Sequence, residues 1–139
     1  MHQESFDKAE FIVKTQELLT DKNFNKALMD SLPYPAMLIH RNRRIISANK
    51  AAEGIGVEVA SFCWDTFGKK ASISEENREY YEENNTVPPK GIKCTFCKAD
   101  EALISQESIN EKIPAGYITY DTFWVPLTDE VYLHYAIVT

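Results

Sequence analysis

The sequence predicts an α+β domain built on an antiparallel sheet. Three features carry this: two short apolar runs around a polar turn near residue 40, a helix-forming middle, and a last third rich in aromatic and β-branched residues. Strands at both ends with helices between them imply an α+β domain with an antiparallel sheet. At 139 residues and 44% hydrophobic, with seven Phe, seven Tyr and two Trp, the chain suits one domain with its own core.

The first element is an amphipathic helix from Ser5 to about Thr20, where Phe11 and Ile12 recur one heptad later as Leu18 and Leu19 on one stripe. Asp21 caps a second helix through Phe24, Ala27 and Leu28, which must end by Leu32 because Pro33 disfavours helical geometry before it. Ala36–His40 and Ile45–Ala48 form a hairpin around Arg41-Asn42-Arg43-Arg44. Asn49 then caps a short helix that Gly54 and Gly56 end.

Between residues 57 and 89 lie an aromatic patch, Phe62-Cys63-Trp64-Asp65-Thr66-Phe67, and an acidic stretch from Ser74 to Asn85 read as an exposed helical face. A further helix begins near Cys97, with acidic residues in its first turn. Residues 116–125 and 131–138 form the second hairpin, joined through Pro126–Glu130.

The balance of 15 basic and 21 acidic residues, net charge −6, argues against a nucleic-acid partner, and the Arg41–Arg44 cluster reads as a solvated turn. No apolar run approaches the roughly 20 residues a membrane helix needs. The N-terminus lacks the basic and apolar regions of a secretory signal, so a cytoplasmic location is expected. Three cysteines, an odd number, suit reduced thiols, a metal or redox chemistry better than a disulfide framework.

Cys94-Thr95-Phe96-Cys97 has the C-x-x-C spacing that lets two thiolates converge on a metal or form a local disulfide. Cys63 is a third candidate metal ligand, and the three together suit zinc or an iron-sulfur cluster, with His134, His40, Asp100 or water in the fourth position. Two other readings stay open: a redox thiol pair, and three cysteines that simply pack as small apolar side chains.

The segments Leu28–Pro33, Ala36–His40 and Ile45–Glu53, together with Trp124–Leu127 and Tyr132–Thr139, resemble the opening and closing patterns of the PAS family in their order and spacing. The resemblance spans roughly 110 residues. It implies a PAS-like five-stranded antiparallel sheet with helices over one face, enclosing a sensing pocket, in residues 25–139, with residues 1–24 an N-terminal helical extension. It also implies a small-molecule ligand, a downstream signalling protein as partner, and a homodimer through the N-terminal helix.

Candidate cofactor-binding residues in the implied pocket are Trp64, Phe67 and His134, against the alternative that they fill the core. The family's flavin class carries an asparagine-cysteine-arginine motif from which Phe62-Cys63-Trp64-Asp65 departs, and its haem class uses a histidine where Lys98–Ser108 has none. Both cofactors are disfavoured, His40 and His134 being the remaining haem candidates. No nucleophile elbow, phosphate-binding loop or H-E-x-x-H occurs, so no enzyme is expected. The rivals are a thiol-disulfide redox protein using Cys94 and Cys97 and a purely structural interaction domain.

Overall fold

The computed structural model describes residues 6–139. Helix α1 (Lys8–Thr20) follows Asp7, whose carboxylate accepts from the Glu10 amide, and α2 (Lys22–Asp30) is capped by Asp21 accepting from Phe24 N at 3.0 Å. The hairpin is β1 (Ala36–His40) and β2 (Ile45–Ala48), as the apolar runs predict. Then come α3 (Lys50–Gly54), α4 (Cys63–Thr66), α5 (Glu75–Asn84) and α6 (Ala99–Ser105). The chain ends with β3 (Ile109–Ala115), β4 (Ile118–Pro126) and β5 (Val131–Val138). No helix among the described residues is long and apolar enough to cross a membrane.

The five strands pair antiparallel in the order β2-β1-β5-β4-β3. Alternation puts Met37, Ile39, Trp124 and Tyr132 on the inner face, where Ala52 of α3 and Ala99 and Ala102 of α6 meet them in one core. Fully buried Ile39 and Ile45 each contribute about 1.5–3 kcal/mol relative to exposure. Phe123 and Tyr135 stack on the opposite face, 4.6 Å between ring centroids, and remain half-buried. Trp64, Ile73 and Ile92 form a second, smaller core under the loop side.

One polar side chain ties the hairpin to the helices. Asn49, fully buried, accepts from Ala36 N and Ala52 N at 3.0 Å each and donates to Tyr34 O at 2.8 Å. It caps α3 as expected and also pins the start of β1. Lys26 of α2 reaches across to Ala48 O at 2.6 Å and pairs with Asp30 and Glu53, fixing α2 to the domain body.

The sequence left β3 unassigned. It is an edge strand with mostly exposed residues, Glu111, Lys112 and Pro114 among them, so it lacks the apolar signal of a central strand. The apolar stripe of α1 also stands apart from the fold: α1 has no buried residue, and Phe11, Ile12, Leu18 and Leu19 are all exposed.

Candidate functional site

Between the inner sheet face and the α4 and α6 side lies a small cavity of about 20 Å³, room for one water-sized molecule. Cys63, Cys94 and Cys97 all line it, although 31 positions separate the first two in the chain. Local hydrogen bonds set them there. Cys63 N donates to Arg43 O at 2.9 Å, anchoring the start of α4 to the hairpin turn, and Cys97 N donates to Cys94 O at 3.0 Å, closing the C-x-x-C into a turn. Phe67 and His134 also line the cavity.

Trp64 does not. It is fully buried in the second core, stacked on Phe62 and edge-on to Tyr81. The three thiols are free, and among the described residues no group of three or more His, Cys, Asp and Glu is placed to hold a metal ion.

Sequence reading missed the residue that most changes the site. Arg43, placed with its neighbours in a solvated turn, is only 4% exposed, while Arg41 and Arg44 on either side face water. Its backbone takes a φ of 74°, and the side chain folds inward. One guanidinium nitrogen donates to Arg41 O at 2.6 Å and the other to Asp100 Oδ1 at 3.1 Å. Burial opposes the Arg43 charge, but Tyr132, Cys97 and Asp100 together hold its pKa above the usual arginine value.

The other cavity walls include Trp124 and Tyr132, from adjacent strands β4 and β5. Among the described residues five buried side-chain donors lack a nitrogen or oxygen partner; Trp64 Nε1 and Arg78 Nε lie elsewhere, while Arg43 Nε, Trp124 Nε1 and the Tyr132 hydroxyl, which has only the Cys63 thiol beside it, belong to residues lining this cavity. Leaving such a group unmet costs about 1–3 kcal/mol. The cavity therefore concentrates unmet donors. Trp and Arg offer donors alone, and Tyr can donate or accept.

Burial keeps Cys63, Cys94, His134 and Tyr132 neutral. Burial pushes the Cys63 thiol up to about 12, with Cys94 and Cys97 adding to the rise, and burial likewise takes Cys94 to about 12. Burial and then the Arg43 charge lower His134 to about 4, so it is neutral at pH 7; its ring stacks on Trp124 at 5.0 Å. Burial also raises the Tyr132 phenol well above its ordinary value.

Arg43 has a second exposure to the surroundings. It also lines an open groove of about 840 Å³ between the β1–β2 turn and the loop at residues 87–93. Arg43 is thus a shared wall between cavity and groove.

Comparison with known proteins gives a fold and no family. No family model matches the chain, and no curated protein matches it. Among solved structures, it is similar to a sensory box sensor histidine kinase from Vibrio cholerae, with a TM-score of 0.51 and 14% identity over 99% of each chain. With five antiparallel strands and helices across one face, the chain has a PAS-like, sensory-box fold.

Proposed function

We propose that this chain is a sensory module whose thiol-lined cavity, with room for one water-sized molecule, widens to admit a small hydrogen-bond-accepting ligand and relays its presence through the sheet. The observation that carries this is the set of unmet donors on three residues lining one enclosed space. Folded proteins rarely leave three buried donors unpaired in one place, so a molecule that accepts hydrogen bonds completes the site. Trp124 and Tyr132 sit on β4 and β5, which pair over seven residues in the middle of the sheet, so occupancy bears directly on the sheet.

The thiol-disulfide reading is weaker on physical grounds. With its thiol pushed up to about 12, Cys94 is almost entirely protonated at pH 7 and a poor nucleophile. A sensor does not need it charged. The uncovered stripe of α1 supports a homodimer through this helix, since four large apolar residues on one element favour a partner over water. Such a dimer would offer the route to a downstream signalling protein.

The test is native mass spectrometry of protein purified without oxygen. A single added mass per chain, absent from the Tyr132→Phe variant, supports the reading. An added mass of zinc or of an iron-sulfur cluster would redirect it to metal sensing through Cys63, Cys94 and Cys97. The bare mass of the chain, with Tyr132→Phe at least as stable as the parent, would favour a structural domain.

A further inference from the structure

The fold turns the short basic cluster of the hairpin into something larger. Arg41, Arg43 and Arg44 of the β1–β2 turn face Lys90 and Lys93 across the open groove, with Asp100 the one carboxylate among the described residues that line it. This happens in a chain whose net charge is −6. The positive charge is gathered, not scattered.

The groove's ion pairs leave much of that charge free. Asp100 is shared, by Arg43 at 3.1 Å and Lys93 at 3.3 Å, and Arg41 lies 3.8 Å from Glu130 outside the groove. Arg44 and Lys90 form no ion pair among the described residues. The Arg43 side chain is 5% exposed and shares its one carboxylate with Lys93, so a buried guanidinium borders the groove with its charge only partly met. Desolvating a guanidinium without satisfying it is costly, and an anion offsets that cost.

The groove is also more than a charged surface. Phe62 and Pro88 contribute apolar walls, and the Arg44 guanidinium lies over the Phe62 ring at 3.9 Å from its centroid. A volume of about 840 Å³ falls within the range for small-molecule sites. We infer that this groove binds a phosphate-bearing small molecule, its phosphates held by Lys90, Lys93 and the arginines and its body resting against Phe62 and Pro88.

A long polyanion fits less well. The acidic remainder of the chain, including Glu75, Glu76, Glu79, Glu82 and Glu83 of α5, repels a nucleic acid extending beyond the groove. Arg43 gives the site a consequence: an anion competing with Asp100 for its guanidinium shifts a wall of the cavity. The groove site itself does not depend on the cavity holding a ligand.

The experiment is a titration of the ¹⁵N-labelled protein with sodium pyrophosphate at low ionic strength, where exposed charges are least screened. Saturable shifts are expected in residues 41–44 and 87–93 and in the Arg43 Nε–H signal. Lys90→Ala/Lys93→Ala, both exposed positions, should weaken binding at least about tenfold while leaving the rest of the spectrum in place. Lys14→Ala on α1 should not. Citrate separates phosphate from carboxylate recognition: equal affinity for citrate overturns the phosphate assignment. Shifts that do not saturate, that persist in the double alanine variant, or that a short single-stranded oligonucleotide produces more tightly than pyrophosphate overturn the site.

Discussion

Arg43 donates to Asp100 Oδ1 at 3.1 Å from a side chain that is 5% exposed, while the carboxylate is 46% exposed. The buried partner depends on the exposed one. Burial works against the Asp100 charge, but Arg43 and then Lys93 outweigh it and hold its carboxyl below the usual range. Asp100→Asn therefore leaves a buried guanidinium short of its counter-charge and should cost about 1–3 kcal/mol in urea unfolding. Lys93→Ala, which removes the exposed partner of the same carboxylate, should cost less than about 1 kcal/mol.

Asn49 makes a second sharp case. Asn49→Ala removes the acceptor for two backbone amides and the donor to Tyr34 O in a fully buried position. Loss of the cap with unmet amides should cost about 2–4 kcal/mol, read by denaturant unfolding. A change below 1 kcal/mol would mean that water replaces the amide.

Stability should fall in mild acid because of His134. Its folded value of about 4 lies below the ordinary 6.5, so the unfolded chain binds the proton first. The stability this group provides is complete above pH 6.5 and is lost as the pH drops toward 4. His134 retains some contact with solvent, so the loss should be about 1–3 kcal/mol. His134→Phe should flatten that part of the stability profile.

Thiol chemistry gives a separate check. With Cys63 and Cys94 at about 12, their thiolate populations at pH 8 fall far below that of an ordinary cysteine, offset in part by greater intrinsic nucleophilicity. Alkylation with iodoacetamide, followed by peptide mapping, should be roughly 40-fold slower than for free cysteine. Rapid modification of Cys94 would revive the thiol-disulfide reading.

The exposed stripe of α1 predicts assembly. Ile12→Glu/Leu18→Glu alters two exposed residues and should leave the folded domain's circular dichroism unchanged while converting a dimer to a monomer in sedimentation equilibrium. A parent protein that is monomeric at high concentration would remove the dimer from the account.

Most of the fold was legible because local chemistry marked it. Asp21 and Asn49 announce helix starts, Pro33 a stop, and the apolar runs at 36–40 and 45–48 the first hairpin. Strand β3 was not, since its pairing to β4 rather than its own composition makes it a strand.

In the site, spacing pointed to the cysteines, and the fold brings all three to one cavity. The directions of single side chains were beyond it. Trp64 and Phe67, three residues apart around a four-residue helix, end in different cores. Arg43 turns inward between two arginines that do not, a choice made by one backbone angle and by Asp100, 57 positions away. The meeting of Lys90 and Lys93 with the hairpin turn is likewise tertiary.

If a bound ligand completes the cavity, linkage between binding and folding reads it directly. Protein as purified should be compared in denaturant unfolding with the same protein unfolded, dialysed and refolded, alongside Tyr132→Phe. A ligand at 100 times its Kd adds about 2.7 kcal/mol, so the refolded parent should lose stability of that order, and Tyr132→Phe should begin lower and lose little. If the parent is unchanged by refolding and Tyr132→Phe is as stable or more so, the unmet donors belong to an empty core and the sensing account fails.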